Sequence, residues 1–254
     1  LRFPDLFSLD YTPPKPLVQR RQRFEVIERI MPDGSIRQPL DDVSVESMLE
    51  KLEQLQPEAI AICLLHSYAN PIHERKVIEA VKTRFPDVYV SGSVDVLPEI
   101  REYERTSTTV INSYIGPIVD SYLKSMQKRL DHANMPVPIS IMQSNGGVMS
   151  YAAARRSPAR IIESGPAAGV VEALRLADRI ALEDVITFDM GGTTAKASLI
   201  EQGKPSLTTE YEVGAGIQLS NRLVKGQGHA LKLPVIDIAE VGAGGGSIVR
   251  VDLG

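Results

Sequence analysis

Hydrophobic residues recur along the chain at two periods, one typical of amphipathic helices and one typical of short buried strands. Residues 45–55 and 106–132 carry apolar side chains three or four positions apart, which predicts two helices. Short apolar runs at residues 59–66 and 88–91 predict strands, with a helix from residue 70 to residue 84 between them. A strand, a helix and a strand with short connections form a parallel α/β unit. The pattern therefore predicts an α/β protein.

The other predicted elements follow from the same two periods and from the positions of proline and glycine. Strands are predicted at residues 23–31, 35–38, 139–143, 161–163, 185–188, 195–200, 204–213 and 235–241, and a further helix at residues 170–179. Pro117 falls inside the long helix predicted at residues 106–132. Because proline lacks the N–H group of a helical hydrogen bond, we expect a kink or a break near Gly116.

Composition narrows the class of protein and argues against several functions. The chain has 254 residues, of which 43% are hydrophobic and 24% are charged, as in globular proteins with one large or two modest domains. A net charge of −4 suggests neither nucleic acid nor an anionic membrane as a partner. Cys63 is the only cysteine, so no disulfide can form within the chain, and we expect a reducing, cytoplasmic setting.

Most of the candidate chemistry lies between the strands predicted at residues 185–188 and 195–200. The connecting residues are Asp189, Met190, Gly191, Gly192, Thr193 and Thr194. A purely structural hairpin would also use a glycine pair, because glycine tolerates the positive φ of tight turns. However, backbone N–H groups, hydroxyls and a carboxylate can together surround phosphate oxygens and a magnesium ion, with Asp189 holding the metal or its water. We therefore expect a phosphate-binding hairpin, which differs from a Walker loop because no Gly-x-x-x-x-Gly-Lys-Ser/Thr occurs.

Two further segments have both a structural and a functional interpretation. The glycine-rich segment at residues 242–247 is either a flexible bend before a final strand or a second loop against a nucleotide. The charged cluster at residues 97–105 is either a solvated surface turn or a place where Arg101 or Arg105 positions a substrate or a contact between lobes.

Several short motifs, taken together and in chain order, resemble the hydantoinase A / 5-oxoprolinase family, which also includes subunits of acetone carboxylase. The motifs are Leu64-Leu65-His66-Ser67-Tyr68, Asn70-Pro71 with His73-Glu74, Arg101-Glu102-Tyr103-Glu104-Arg105-Thr106, Ser144-Asn145-Gly146-Gly147, Ser164-Gly165-Pro166-Ala167-Ala168-Gly169, Phe188-Asp189-Met190-Gly191-Gly192-Thr193 and Gly242-Ala243-Gly244-Gly245-Gly246-Ser247-Ile248. The resemblance extends from about Phe24 to the end of the chain.

The resemblance implies an actin-like, ribonuclease-H-related ATPase fold, in which two α/β lobes enclose a nucleotide cleft. The implied division is a connecting segment at residues 1–23, the remainder of the first lobe at 24–105, an interlobe helical segment at 106–134 and the second lobe at 135–254. Family members use ATP to activate a carbonyl oxygen. They open a cyclic amide such as a hydantoin or 5-oxoproline, or they carboxylate a ketone, usually with a second large subunit or domain of the hydantoinase B type.

The resemblance also implies the residues of the site, with ATP and Mg²⁺ as cofactors. It makes Asp189 and Thr193 the catalytic candidates, to which the charged cluster, and not the resemblance, adds Arg101 and Arg105. The candidates for binding the cofactor are Asp189, Gly191, Gly192, Thr193, Thr194, Gly244, Gly245 and Gly246. Asp189 is the implied ligand of the metal, directly or through water.

The chain departs from the family pattern in two ways. Family hairpins usually continue Gly-Gly-Thr-Ser-Thr-Asp, whereas here Thr193 is followed by Thr194, Ala195 and Lys196, so that a cation replaces an acid. The family also begins with another glycine-threonine phosphate loop and continues beyond the glycine-rich segment. We therefore expect this chain to be an internal fragment that is inactive by itself.

Three functions of different classes remain open from the sequence. The first is the ATPase core of a cyclic-amide hydrolase or of a ketone carboxylase. The second is a sugar or acyl kinase of the same fold, and the third is a non-catalytic domain that binds nucleotide as a sensor or scaffold. The motifs around Ser144 and Ser164 favour the first, whereas Lys196 in place of an acid makes the third more plausible.

Overall fold

The structure, a computed structural model, describes residues 15–209, 211–214 and 228–248, and these residues form a mixed α/β architecture, as expected. The helices are α1 (Asp42–Leu55), α2 (Ile72–Arg84), α3 (Ser93–Val96), α4 (Glu102–His132), α5 (Tyr151–Arg156) and α6 (Ser164–Arg179), with 3-10 turns at Arg20–Gln22 and Pro158–Ile161. The strands are β1 (Arg29–Ile30), β2 (Ile36–Gln38), β3 (Ala59–Ile62), β4 (Tyr89–Gly92), β5 (Ser140–Met142), β6 (Val148–Ser150), β7 (Val185–Met190), β8 (Ala195–Glu201), β9 (Lys204–Pro205), β10 (Leu207–Thr208), β11 (Tyr211–Val213), β12 (His229–Leu231), β13 (Val235–Ile236) and β14 (Ile238–Val241).

The first α/β unit is built as the hydrophobic pattern predicts. Strands β3 and β4 pair in parallel, with α2 as the crossover between them. Helix α1 begins after Asp41, whose carboxylate accepts a hydrogen bond from the Ser44 backbone N–H at 2.9 Å and so caps the first turn. The buried positions of α1 are Val45, Met48, Leu49 and Leu52. These side chains share one core with those of β3, α2 and Val94.

Helix α4 runs for 31 residues and passes through Pro117 without interruption, so a break near Gly116 is wrong, whereas a kink there stays a prediction. Tertiary packing offsets the hydrogen bond that proline cannot make. The Tyr89 ring lies against Gly116, where an added Cβ would come within 2.2 Å of it, and the Ser113 hydroxyl donates to the Ile60 carbonyl at 3.1 Å. Within the described ranges, no helix combines the length and the apolar character needed to cross a membrane.

The second sheet has the order β14-β8-β7, with β9 paired to β8 beyond the end of β14. All of these pairs are antiparallel. Helix α6 packs on one face of the sheet, where Ala167 and Val170 meet Ile200, Ile236 and Ile238 in a separate core cluster. On the opposite face, Ile186 and Phe188 of β7 are 72% and 61% exposed. The sheet is therefore covered on one side by the described residues.

Several predicted boundaries in the second half need correction. The strand predicted at residues 161–163 is wrong, because a 3-10 turn occupies Pro158–Ile161 and α6 begins at Ser164. The Arg160 carbonyl is held there by the backbone N–H and the hydroxyl of Ser144, at 2.8 and 2.9 Å, instead of by a neighbouring strand. Helix α6 consequently starts six residues before the helix predicted at residues 170–179.

The two long strands predicted at residues 204–213 and 235–241 are each divided into shorter ones. Ser206 interrupts the first, since its N–H bonds the Leu199 carbonyl and its carbonyl accepts from the Asp237 N–H. Strand β10 pairs with β13, and β11 pairs with β12, so these segments leave the main sheet. The predicted division into four segments stays a prediction, and residues 1–14, 210, 215–227 and 249–254 of it lie outside the described residues.

Candidate functional site

The predicted hairpin at residues 189–194 is present as two strands joined by a tight turn. Strands β7 and β8 pair from Val185 opposite Ile200 to Met190 opposite Ala195. The Gly191 N–H then donates to the Thr194 carbonyl at 2.9 Å, which closes the turn around Gly192 and Thr193. The turn thus carries the glycine and threonine residues at the end of a regular sheet.

The glycine-rich segment lies directly against this hairpin. Strand β14 pairs with β8 as far as Val241 opposite Ala195, so the segment leaves the sheet beside the turn. The Gly245 N–H donates to the Gly191 carbonyl at 3.0 Å. A Cβ on Gly244 would lie 2.0 Å from the Gly192 carbonyl oxygen, which is closer than any side chain allows. The two glycine loops are therefore in direct contact, and only glycine fits at position 244.

The contact leaves the polar groups of the hairpin without protein partners. Within residues 15–209, 211–214 and 228–248, no acceptor receives the N–H groups of Gly192, Thr193 or Thr194. The Thr193 and Thr194 hydroxyls and the Asp189 carboxylate likewise have no hydrogen bond in this part of the chain, and Asp189 and Thr193 are exposed. Three donors, two hydroxyls and a carboxylate converge on one turn, which is the donor set that phosphate oxygens and a hard cation require.

The three glycines of the second loop differ in what they contribute. The Gly245 N–H donates to the Gly191 carbonyl of the hairpin, and the Gly244 N–H donates to the Ser247 hydroxyl at 3.3 Å. Gly246 keeps its N–H free of any acceptor in the described residues. Gly244 and Gly245 therefore act on the hairpin itself, and Gly246 is the member of the loop that has a donor to offer.

A divalent cation at Asp189 would need further oxygen ligands that the side chains of this site do not supply. In the described ranges, no three side chains of the His, Cys, Asp and Glu types come close enough together to hold a metal ion. Mg²⁺ is commonly held in proteins by one or two carboxylates together with phosphate oxygens and water. Asp189 would therefore supply the single protein carboxylate beside the phosphate-binding turn.

Lys196, the cation that departs from the family pattern, is held by two carboxylates. It lies opposite Asp189 on β7 and opposite Glu240 on β14. Its ammonium group is 3.4 Å from Glu163 Oε2 and 3.6 Å from Glu240 Oε2. Sequence reasoning did not find either glutamate, since they lie 33 and 44 positions away and only the sheet register and the start of α6 bring them together.

Glu163 in turn joins several of the motifs that carry the family resemblance. Its Oε1 accepts a hydrogen bond from the Tyr211 hydroxyl at 3.1 Å, and its backbone N–H donates to the Ser144 hydroxyl at 3.2 Å. It also directly precedes α6 and its Ser164-Gly165-Pro166 start. The segment at Ser144 therefore supports the site through Glu163.

Arg105, expected near substrate or at a surface turn, is 1% exposed and lies in the first α/β unit. Its guanidinium donates to the Ser67 hydroxyl at 2.7 Å and to the Leu64 carbonyl at 2.9 Å, and it stacks over the Tyr68 ring. The surface turn is thus wrong for Arg105, and its part in positioning a substrate or a contact between lobes stays a prediction. Arg101 is exposed at the start of α4, 3.8 Å from Glu104.

Glu74 is the buried counterpart of Arg105, and sequence reasoning gave it no role of its own. It is fully buried and accepts hydrogen bonds from the Leu64 N–H at 2.8 Å, the Val94 N–H at 2.9 Å and the Ser93 hydroxyl at 2.9 Å. The Ser93 hydroxyl also lies 3.4 Å from Arg105 Nη1.

Burial raises the pKa of the nearby Cys63 thiol, which contacts the Thr106 hydroxyl at 3.1 Å.

Comparison with known proteins adds family and structural relatives. A family model described as Hydantoinase/oxoprolinase matches residues 105–254, and a model of the Hydantoinase/oxoprolinase N-terminal region matches residues 2–85. Uncharacterized protein MJ0964 of Methanocaldococcus jannaschii is 45% identical over 100% of this chain and 37% of its own length.

Two relatives are named for an enzymatic activity and have solved structures. Caprolactamase subunit alpha of Pseudomonas jessenii is 32% identical over 97% of this chain and 34% of that protein. The crystal structure of this ATP-dependent caprolactamase matches with a TM-score of 0.77. Acetone carboxylase, in a study of ATP-dependent acetone carboxylation, matches with a TM-score of 0.78 and 29% identity over 94% of this chain and 32% of that one. The chain thus spans about a third of the length of these relatives.

Proposed function

The chain belongs to the hydantoinase/oxoprolinase family, and from that premise we propose that it is part of an ATP-dependent hydrolase that opens cyclic amides. The observation that carries the proposal is the contact between the two glycine loops. That contact fixes the turn at residues 191–194, while the N–H groups of Gly192, Thr193 and Thr194 and the two threonine hydroxyls have no partner among the described residues. A turn built only for structure would have no need of a second loop that only glycine can form.

The residues of the hairpin would bind the phosphates of ATP, and Asp189 would hold the accompanying Mg²⁺. The amides of Gly192, Thr193 and Thr194 donate to phosphate oxygens, and the Thr193 hydroxyl adds a further hydrogen bond. Bound Mg–ATP supplies the phosphoryl group that activates an amide carbonyl for attack by water. In such chemistry the protein contributes mainly by placing donors in advance where negative charge accumulates. Asp189 and Thr193 are therefore the catalytic residues of the proposal.

The remaining parts of the proposal concern the whole protein. We propose that the second sheet, with its hairpin, belongs to one of two actin-like lobes around the nucleotide. The relative from Pseudomonas jessenii is described as a subunit alpha. By analogy, we propose a second large subunit or domain of the hydantoinase B type as partner, with the cyclic amide bound between the two.

A ketone carboxylase is the second candidate, and one observation favours it. The structure of acetone carboxylase matches this chain with a TM-score of 0.78, which is about equal to the TM-score of the match to caprolactamase. Both chemistries use ATP to activate a carbonyl oxygen, so the hairpin serves either. The two candidates differ in both reactants, which are a cyclic amide and water in one and a ketone and bicarbonate in the other.

The test is substrate-stimulated phosphate release by the complete protein with its partner. Hydantoin, 5-oxoproline and caprolactam would each be supplied with Mg–ATP, and acetone with bicarbonate in a parallel series. We expect a cyclic amide to stimulate release, Asp189→Ala to abolish it while the unfolding transition is unchanged, and the 254 residues alone to show none. Stimulation by acetone and bicarbonate alone would establish the carboxylase, and wild-type rates in Asp189→Ala would refute the proposed site.

A further inference from the structure

We propose that Glu163 and Glu240 hold the Lys196 ammonium away from Asp189 and thereby keep the Asp189 carboxylate free for a divalent cation. The inference rests on the proposed nucleotide site and adds to it two positioning residues, Glu163 and Glu240. Neither glutamate would touch the nucleotide. Both would fix the position of the Lys196 ammonium, which stands where the family pattern has an acid.

The sheet register creates the problem that these glutamates solve. Asp189 on β7 and Lys196 on β8 are directly opposite each other, so their side chains leave the same face of the sheet. Opposite residues on neighbouring antiparallel strands have Cβ atoms about 4.5–5.5 Å apart, and opposite charges there attract. A simple cross-strand ion pair between Asp189 and Lys196 is therefore the expected arrangement. It would occupy the carboxylate that the proposed metal needs.

The structure shows a different pairing. The Lys196 ammonium is 3.4 Å from Glu163 Oε2 and 3.6 Å from Glu240 Oε2, and in the described part of the chain Asp189 has no ion pair within 4 Å. The three paired side chains are 20%, 22% and 26% exposed, whereas Asp189 is classed as exposed. Charges that are partly enclosed are screened less by solvent and salt, so two half-buried carboxylates outweigh one exposed carboxylate for the same ammonium.

Glu163 is also held in advance in the position that this pairing requires. The Tyr211 hydroxyl binds its other carboxylate oxygen, and the Ser144 hydroxyl binds its backbone N–H. The register places Glu240 opposite Lys196 on β14, on the same face of the sheet. Because the Glu163 carboxylate is already held by Tyr211, little of its side-chain entropy is lost when it pairs with the lysine. The arrangement therefore favours a Lys196 side-chain conformation that points away from Asp189 before any ligand binds.

The test removes the two negative charges while keeping the shape of both side chains. In the E163Q/E240Q variant of the complete protein, Lys196 should pair with Asp189. A bound Mn²⁺, used in place of Mg²⁺ because electron paramagnetic resonance detects it, must then displace the lysine. Partly exposed ion pairs shift equilibria by about two- to fivefold, so Mn–ATP affinity should weaken by about that factor.

Rescue distinguishes control of Lys196 from a merely structural role. Adding Lys196→Met to give the E163Q/E240Q/K196M variant should restore Mn–ATP affinity to the wild-type value or above it. Damage to the fold would instead persist or worsen. The matched control is Glu172→Gln, which removes a negative charge from the same helix α6, where Glu172 pairs with Arg175 at 3.4 Å. It should leave the affinity unchanged.

Two outcomes separate this inference from the proposed function. If the wild type binds Mn–ATP and E163Q/E240Q binds it equally well, the inference is overturned and the nucleotide site stands. If the wild type binds no Mn–ATP, the proposed function fails, and a crystal structure of nucleotide-free E163Q/E240Q decides the inference alone. Lys196 Nζ within ion-pair distance of Asp189 would support it, and Lys196 Nζ still turned away would overturn it.

Discussion

Two regions of the molecule are rich in polar groups, and they differ in burial and in hydrogen bonding. The first, which we call the buried network, consists of Glu74, Ser93, Arg105 and Ser67 in the first α/β unit. Its members have exposures of 2% or less and hydrogen-bond to one another and to the surrounding backbone. The second is the hairpin at residues 189–194. The amides of Gly192, Thr193 and Thr194, the two threonine hydroxyls and the Asp189 carboxylate find no hydrogen-bond partner in the described protein.

The difference teaches how to distinguish a polar cluster that stabilises a fold from one that binds a ligand. Burying a polar group is tolerable only when most of its hydrogen bonds are satisfied. The buried network meets this condition except at Arg105 Nε, which has no hydrogen-bond partner in the described residues. The hairpin is solvated and carries no such constraint. It can keep a concentrated set of donors unused until a ligand supplies acceptors. Substitutions should therefore affect stability in the first region and nucleotide affinity in the second.

The largest expected effect is on stability, and it comes from Glu74→Ala in the buried network. The substitution leaves the Leu64 and Val94 N–H groups and the Ser93 hydroxyl, which also contacts Arg105 Nη1, without their shared acceptor. Each buried donor left unsatisfied costs about 1–3 kcal/mol, so the free energy of unfolding in urea should fall by about 3 kcal/mol or more. The control Glu172→Ala, on an exposed part of α6, should change it by less than about 0.5 kcal/mol. A similar loss in both variants would remove the distinction between the two regions.

The next effect belongs to the hairpin and comes from Gly244→Ala. The new Cβ would lie 2.0 Å from the Gly192 carbonyl oxygen, and backbone atoms on both sides must move to relieve the clash. Displacement of catalytic donors by about 1 Å can cost roughly a hundredfold in rate, so we expect a loss of that size in ATP turnover. Gly242→Ala is the matched control in the same segment, because a Cβ there meets nothing within 4 Å and Gly242 is not a candidate binding residue. Equal turnover in the two variants would mean that the loop contact does not position the hairpin.

A smaller effect concerns the dependence of stability on pH in the first region. Burial, followed by the negative charge of Asp120, raises the pKa of Tyr89 to about 12, from an ordinary value near 10. Because the folded-state pKa is the higher one, the folded protein holds the phenol proton more tightly. The stability that this provides is fully present below about pH 10 and is lost as the pH rises towards about 12.

The measurement is the free energy of unfolding between pH 9 and pH 12, compared with that of Tyr89→Phe. The wild type should lose stability over this window more steeply than the variant, which has no phenol to ionise. The Tyr89 hydroxyl donates to the Arg155 carbonyl at 2.7 Å, so the variant should also be less stable at neutral pH. Parallel profiles would show that Tyr89 is not enclosed as described.

Local patterns in the sequence predicted those parts of the fold that depend on neighbouring residues. The apolar face of α1, the parallel pair β3 and β4, and the hairpin all follow from spacings within a few residues. The strand predicted at residues 161–163 failed because the Ser144 side chain, far away in sequence, binds the Arg160 carbonyl and stabilises a turn. Helix α4 likewise continues through Pro117, beside which Tyr89 packs on Gly116. Local sequence patterns could not predict this packing, because the two residues are far apart in the sequence.

The candidate site divides in the same way. Its glycine and threonine residues could be identified from the sequence because their chemistry is contained in six consecutive positions. The partners of Lys196 could not, since Glu163 and Glu240 reach it only after α6 docks and β14 pairs with β8. The charged cluster at residues 97–105 suggested function, yet burial makes Arg105 a member of the stabilising network. Charge density alone did not reveal whether those charges were already satisfied.

Amide hydrogen exchange, followed by mass spectrometry with and without Mg–ATP, tests the central contrast most directly. The peptide that covers residues 189–196 contains the unpartnered amides of Gly192, Thr193 and Thr194, which should exchange rapidly in the free protein and slowly once phosphate oxygens accept from them. A peptide from the buried network around Glu74 should exchange slowly and at the same rate in both states. We predict protection confined to the hairpin and the adjoining glycine loop. Binding of Mg–ATP without slower exchange at residues 189–196 would contradict the account.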